Sequence, residues 1–177
     1  AYIGTDVDVV VPREIDGVTV VGFKDYNAFA SCQDYTDTET ETNQTDWVRL
    51  RTLVLPETIK ALPDSMLSYC QQLETFVCYA PLENTGKNQF MLCRSLNNVI
   101  FVNGVREIGN YAFAHCKSLR YVTLPESVKH IGTQAFYGCD ALEGLLIDSR
   151  DSIVIGDKAW DNCPALRFVA SNAAEAV

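Results

Sequence analysis

The chain has 177 residues, 47% of them hydrophobic, and a formal net charge of −9. This length and composition can supply the core of one domain, whereas the negative charge argues against binding to nucleic acid or to an anionic membrane surface. The sequence contains no run of about 20 apolar residues, which direct insertion into a membrane would need. No secretory signal is visible either.

Residues 1–32 are predicted to form an atypical N-terminal cap repeat. Asp8 to Val11, followed by Pro12, matches the start of a short strand. The pair Asp16-Gly17 lies between β-branched residues, which predicts a hairpin with a type I′ turn over residues 14–21. An atypical first unit is expected because terminal repeats must cover an open core.

Residues 33–47 are interpreted as an acidic loop insertion. This segment contains five acidic residues and no lysine or arginine. A segment with uncompensated charge and little to bury favours a solvated loop. A calcium or partner loop is the alternative, although the acid spacing does not match an EF-hand. Asn43 begins a glycosylation sequon, which is a weak signal by itself.

Residues 48–170 contain regular repeats, of which Leu119 to Leu142 is the clearest copy. Six cysteines recur at intervals of 38, 23, 23, 23 and 24 residues, and the first interval contains the insertion. Three residues before five of these cysteines stands an aromatic residue. The six cysteines are Cys32, Cys70, Cys93, Cys116, Cys139 and Cys163, and the five aromatic residues are Phe29, Phe90, Phe113, Phe136 and Trp160.

The clearest copy predicts how one repeat folds. Residues 119–124 are expected to form a strand that ends at Pro125, and residues 128–131 a second short strand. Residues 134–139 would make one helical turn that directs Phe136 and Cys139 inward. No repeat can bury its apolar face alone, so neighbouring repeats must stack and share one core. The aromatic residues should then form a column with the cysteines beside it.

The seven cysteines are interpreted as reduced and structural. Six occupy one fixed position per repeat, and Cys78 falls at a strand position held elsewhere by Leu55 and Leu124. In a parallel stack, equivalent Cβ atoms lie about 4.8 Å apart with side-by-side vectors, whereas a disulfide needs about 3.8 Å and converging vectors. The cysteines therefore do not identify the redox compartment.

The repeat pattern, L-x-x-V-x-L-P-x-x-V-x-x-I-G-x-x-A-F-x-x-C-x-x-L, resembles the BspA-type leucine-rich repeats of bacterial surface proteins. The resemblance covers Val9 to about Val169. It implies a right-handed leucine-rich-repeat solenoid of the α/β class, with about six repeats, short parallel strands and one short helical turn per repeat. It also implies a surface-displayed or secreted protein and, as for some relatives, binding of host or matrix proteins or of other cells. The whole chain, 1–177, is treated as one domain, with residues 171–177 as a tail.

The sequence offers no catalytic hypothesis. His115 and His130 stand at variable positions of the repeat and are interpreted as surface residues. No nucleophile–base–acid set has a recognisable spacing, and there is no phosphate-binding glycine loop or CxxC pair. Gly109, Gly132 and Gly156 recur with the repeat and are interpreted as turn formers. We therefore expect no enzyme activity, no cofactor and no metal.

A binding hypothesis does have support in the sequence. If residues 122 and 124 point inward, residues 121 and 123 point outward from the same sheet, and equivalent positions define a candidate partner-binding face. Stacked β-branched residues also stabilise neighbouring strands, so strand propensity alone explains this pattern equally well. The candidate residues are Thr52, Val54, Thr75, Val77, Asn98, Ile100, Tyr121, Thr123, Leu146 and Phe168.

The leading hypothesis is a non-catalytic extracellular protein-interaction module that forms part of a bacterial surface or secreted adhesin-like protein. Its expected partner is a protein, with a host protein, a matrix protein or a glycan as candidates, and the chain is expected to be a monomer. The alternative is a structural spacer that displays other domains of a larger surface protein. Because the chain begins at Ala1 rather than Met, it is interpreted as a mature or excised fragment whose targeting signal lies elsewhere.

Overall fold

The structure is a computed structural model of the chain and describes residues 7–24, 28–29, 50–148 and 152–171. Three regions named above lie outside the described residues: Cys32, the insertion at 33–47, and the tail beyond Ser171. Thirteen strands are present in the described part. In chain order they are β1 (Asp8–Val10), β2 (Glu14–Ile15), β3 (Val18–Thr19), β4 (Thr52–Leu55), β5 (Thr75–Cys78), β6 (Leu82–Asn84), β7 (Asn98–Phe101), β8 (Val105–Ile108), β9 (Tyr121–Leu124), β10 (His130–Ile131), β11 (Gly144–Ile147), β12 (Val154–Ile155) and β13 (Phe168–Ser171).

The strands stack into parallel sheets, which confirms the predicted solenoid. One sheet has the order β1-β4-β5-β7, and a second has the order β13-β11-β9. A third sheet, β12-β10-β8-β6, is built from the second short strand of each repeat. Within each of these three sheets, a strand pairs in parallel with its equivalent in the adjacent repeat. The right-handed coiling implied by the resemblance stays a prediction.

Register keeps equivalent residues on top of one another. Leu55 pairs with Cys78, and Cys78 with Phe101, in the first sheet. Leu124 pairs with Ile147 in the second. All five side chains are buried, as the alternation of inward and outward residues along a strand requires. Cys78 therefore occupies the inward strand position that the sequence predicts for it.

The core contains the predicted aromatic column. The rings of Phe90 and Phe113 are stacked, with centroids 5.0 Å apart, and those of Phe113 and Phe136 are stacked at 5.1 Å. Phe76 contacts Phe90 edge-on at 4.8 Å. Trp160, at the equivalent position of the next repeat, is partly buried and packs against the same core. This shared interior is what holds consecutive repeats together.

The predicted helical turn at residues 134–139 is not confirmed, and the described residues contain no α-helix. The N–H groups of Gln134, Phe136 and Gly138 donate to carbonyl groups of the next repeat, at 2.9, 2.7 and 3.0 Å. An α-helix would direct such groups to carbonyls four residues earlier in the same segment. Gln134 and Gly138 also have positive φ angles of 53° and 67°, which a right-handed helix cannot contain. The described part of the solenoid is therefore built from strands and turns rather than from an α/β arrangement.

The cap begins with β1, which pairs in parallel with β4. The hairpin β2–β3 follows, with Asp16 and Gly17 at φ angles of 52° and 79°. A type I′ turn needs positive φ at both central residues, which explains the Asp-Gly pair. The hairpin leaves Ile15 and Val18 exposed.

Candidate functional site

The outward side chains of β4, β5, β7, β9, β11 and β13 form one surface, here named the outer face. Along β4, β5 and β9 every second residue is buried in the core, so the residues between them point away from it. Register extends the same outward positions to β7, β11 and β13. Five of the ten candidate residues are half-buried and five are exposed. The half-buried ones are Thr52, Val54, Thr75, Val77 and Leu146, and the exposed ones are Asn98, Ile100, Tyr121, Thr123 and Phe168.

The outer face consists of two blocks rather than one continuous sheet. β7 is the last strand of the first sheet, and β9 begins the second, although their repeats are consecutive. Thr52, Thr75 and Asn98 are in register within the first block. Thr123 and Leu146 are in register within the second. The structure therefore brings the candidates together in two groups that meet between β7 and β9.

Two exposed residues that directly follow β5 and β7 were not among the candidates chosen from the sequence. Tyr79 is 44% exposed and Val102 is 47% exposed. The N–H of Val102 donates to the Cys78 carbonyl at 2.8 Å, which places Val102 beside Tyr79. In other repeats the same position is held by Pro56 and Pro125. The loss of proline in two successive repeats is the signal that could have identified them.

Tyr79, Ile100 and Val102 together form what we name the apolar patch. Ile100 is 43% exposed and precedes Val102 by two residues on the outward side of the chain. Tyr121, on the neighbouring strand β9, is 58% exposed. Large apolar side chains that cluster on an exposed surface often indicate a site of protein contact.

A second aromatic feature lies at the C-terminal end of the outer face. Tyr121, Gly144 and Phe168 are in register on β9, β11 and β13. A Cβ atom on Gly144 would lie 2.4 Å from Cζ of Phe168 and below 3.0 Å from two further ring atoms. The ring of Phe168 therefore lies directly over Gly144. It remains 49% exposed, so one part of it is available to a partner.

Charged side chains along one edge of the outer face form ion pairs between repeats. Arg51 donates to both carboxylate oxygens of Glu74, at 3.1 and 3.0 Å. Arg120 Nε donates to Glu143 Oε1 at 3.0 Å, and Arg120 Nη2 contacts the same oxygen. The Tyr121 hydroxyl donates to Glu143 Oε2 at 2.5 Å. These hydrogen bonds lower the pKa of Glu143, with that from Tyr121 contributing most, and the same bond raises the pKa of Tyr121.

A family model for the BspA-type leucine-rich repeat region matches residues 38–167, in six copies. The match covers more than half of the chain and includes strands β4 to β12. The chain belongs to the BspA-type leucine-rich repeat family.

Solved structures of bacterial leucine-rich repeat proteins share this fold. A leucine-rich cell surface protein from Faecalibacterium prausnitzii has a TM-score of 0.66 and 18% identity over 97% of this chain. The chain spans 49% of the length of that protein, or about half. The leucine-rich repeat protein of T. pallidum also has a TM-score of 0.66, with 23% identity over 94% of this chain and 80% of its own. Both identities are low, so these likenesses concern the fold alone.

A third solved structure, a leucine-rich repeat protein from Eubacterium ventriosum, has a TM-score of 0.59 and 26% identity. The match covers 67% of this chain and 32% of that protein. No curated protein sequence matches the chain. In the part of this BspA-type chain that the structure describes, no helix has the length and apolar character needed to cross a bilayer.

Both histidines of this BspA-type chain are half-buried and have neighbours. His115 contacts the ring of Tyr137 edge-on, with centroids 5.5 Å apart. His130 Nδ1 lies 3.4 Å from a carboxylate oxygen of Glu107. Among the residues that the structure describes, no three His, Cys, Asp or Glu side chains cluster closely enough to hold a metal ion.

The cysteine position of the BspA-type repeat has a structural role. The six cysteines among the described residues are free, and all but Cys163 are buried. From the third repeat onward, each thiol donates to the carbonyl of the residue at the aromatic position one repeat earlier. The pairs are Cys93 to Leu67 at 3.0 Å, Cys116 to Phe90 at 3.1 Å, Cys139 to Phe113 at 3.1 Å and Cys163 to Phe136 at 3.1 Å. A small apolar side chain with a weak donor fits this site better than alanine or serine would.

Cys163 is expected to react with iodoacetamide at least about tenfold faster than the other described cysteines. It is the partly exposed one, and its pKa is lowered to about 7, chiefly because the neighbouring Cys139 thiol can donate its proton to the Cys163 thiolate instead of to the Phe113 carbonyl. Burial raises the pKa of Cys78 to about 11. Peptide mapping by mass spectrometry after short labelling would measure each rate, and the Cys163 rate should rise through pH 7. Equal labelling of Cys163 and Cys116 in the folded protein would contradict this expectation, and urea-unfolded protein gives the reference rates.

Proposed function

We propose that this chain is a non-catalytic interaction module that binds another protein through its outer face. The observation that carries the proposal is the apolar patch on β7 and at the ends of β5 and β7. Its three side chains, Tyr79, Ile100 and Val102, are each more than 40% exposed. A surface of this kind loses unfavourable contact with water when a partner covers it.

The surroundings of the apolar patch also favour a protein partner. Tyr121 is exposed on β9, in the repeat that follows the patch, and tyrosine and arginine are over-represented among residues that dominate binding energies. The Arg120 guanidinium carbon lies 5.8 Å from the centre of the Tyr121 ring. Charges of both signs flank the outer face, as in the pair of Arg51 and Glu74. A mixed rim of this kind suits a protein surface better than a polyanion.

The proposed location is the exterior of a bacterial cell, on a surface-displayed or secreted protein. The family and the cell surface protein of F. prausnitzii support this location. A host or matrix protein, or a glycan carried by one, is then the expected class of partner. Because the chain spans about half of the F. prausnitzii protein, a spacer that displays other domains is the second candidate function.

The double variant Tyr121→Glu with Leu146→Lys is expected to weaken partner binding at least about tenfold, since it places charge at two outward positions of the outer face. Wild-type protein would be assayed by biolayer interferometry against a panel of purified extracellular matrix proteins. The variant would then be tested against every protein that binds. Ile100→Glu, in the apolar patch, is expected to have an effect of similar size.

The control is the double variant Ile15→Glu with Val18→Lys, which introduces the same two charges on the exposed cap hairpin. It should bind as the wild type does. Thermal melting followed by circular dichroism must show that all variants are folded. Unchanged binding of the Tyr121 and Leu146 variant would exclude the outer face, and no binding by the wild type would favour the spacer.

A further inference from the structure

The C-terminal end of the outer face presents a held aromatic ring. Gly144 has no side chain, and the ring of Phe168 occupies the space that a Cβ atom there would fill. On the opposite side of Gly144, the Tyr121 hydroxyl is fixed by Glu143 at 2.5 Å. Phe168 is thus supported from below and remains 49% exposed. A ring held in place in this way loses little conformational freedom when a partner covers it.

Arg167, which directly precedes Phe168, supplies a cation at this end of the outer face. Equivalent positions of successive repeats hold Arg120, Glu143 and Arg167. Both oxygens of Glu143 are already engaged, Oε1 by Arg120 and Oε2 by Tyr121. Arg167 is exposed, and among the residues that the structure describes it has no carboxylate within ion-pairing distance. Its guanidinium is therefore available to an external acid.

We propose that this end of the outer face binds an acidic peptide segment of a partner protein. One carboxylate of the segment pairs with Arg167, and a neighbouring apolar side chain covers Phe168. This inference rests on the proposed function, because it names the chemistry of the partner at one part of the same surface. Arginine and carboxylate can form two parallel hydrogen bonds, which fixes the orientation of the segment.

Charge complementarity distinguishes this occupant from others. The local set of Arg120, Glu143 and Arg167 has one more positive than negative charge, on a chain whose formal net charge is −9. A nucleic acid or another polyanion meets the repulsion of the whole chain. A short segment with few carboxylates gains the local attraction and meets much less of that repulsion, since exposed charges are screened beyond about 10 Å at 0.1 M salt.

The test uses two fluorescein-labelled heptapeptides. One alternates aspartate and phenylalanine, and the other has asparagine in place of aspartate. Fluorescence anisotropy with the whole chain should show that the aspartate peptide binds at least about tenfold more tightly, as expected for hydrogen bonds between charged groups. Arg167→Gln should remove that preference. Gly144→Ala should weaken both peptides alike, because it displaces the Phe168 ring while the charges stay.

The matched control is Arg106→Gln on β8, which removes an exposed arginine from the other side of the solenoid. It should leave both affinities unchanged. Retained preference for the aspartate peptide in Arg167→Gln would overturn the proposal, as would equal binding of both peptides by the wild type. Neither result would contradict the proposed function. That function is tested separately, by measuring how the Tyr121 and Leu146 double variant binds to the matrix proteins.

Discussion

Replacement of Phe113 by alanine is expected to lower the free energy of unfolding by about 4 kcal/mol. Phe113 is fully buried, and its ring is stacked between Phe90 and Phe136 at 5.0 and 5.1 Å. The substitution leaves a cavity in the middle of the column and removes two aromatic contacts, each worth about 1 kcal/mol beyond burial. Urea denaturation followed by circular dichroism measures the loss.

The control for this substitution is Tyr79→Ala, because Tyr79 is an aromatic residue with 44% exposure. Its loss should change stability by roughly 0.5 kcal/mol or less. A Phe113→Ala variant as stable as Tyr79→Ala would mean that the aromatic column does not hold the repeats together. Since each repeat contacts only its neighbours, a central loss should also broaden the transition as the two halves uncouple.

The positions of the core could be predicted from the sequence because the repeat fixes them. Leu119, Val122, Leu124, Val128 and Ile131 are all buried, as their spacing in the clearest copy requires. The same holds for the members of the aromatic column from Phe90 to Phe136. Most repeats place an apolar residue at the same inward position, so several imperfect copies reinforce one interpretation.

The turn between the strands could not be predicted from a single repeat. Phe136 and Cys139 have the spacing of one helical turn, but alternate N–H groups of this turn, including that of Phe136, donate to carbonyls of the next repeat. Tyr111 and His115 adopt positive φ angles of 56° and 60°, without the glycine that usually indicates such a conformation. A left-handed residue costs about 1–2 kcal/mol. The hydrogen bonds between repeats offset this strain, and no local pattern reports them.

The candidate site was only partly accessible to sequence reasoning. Alternation along the strand identified Ile100 and Tyr121 as outward residues, and both are exposed. Periodicity could not reveal the interruption between β7 and β9, since the spacing from Cys93 to Cys116 is regular. Gly144 reads in the sequence as a gap in the outward column. Only the register with Phe168 shows that a ring from the next strand fills that gap.

The recurring glycines also have a role that differs from the one expected of turn formers. Among the described residues, the glycines with positive φ are Gly17, Gly86, Gly104 and Gly138, and Gly109 is not one of them. A Cβ atom on Gly109 would lie 2.2 Å from the carbonyl oxygen of Gly86 and 2.7 Å from its carbonyl carbon. Gly109 is therefore needed for the close approach of two repeats rather than for an unusual backbone angle.

Gly109→Ala is accordingly expected to destabilise the protein by roughly 3 kcal/mol, because the new methyl group meets backbone and the repeats must move apart. The control is Gly22→Ala, whose Cβ atom would have its nearest contact at 3.7 Å. At such an open site the loss of glycine restricts the unfolded chain and should be neutral or stabilise by about 0.5 kcal/mol. Urea denaturation of both variants gives the comparison. If Gly109→Ala proved as stable as Gly22→Ala, the repeats would tolerate wider spacing between Gly86 and Gly109. Close approach of the backbone would then not explain why glycine recurs at this position.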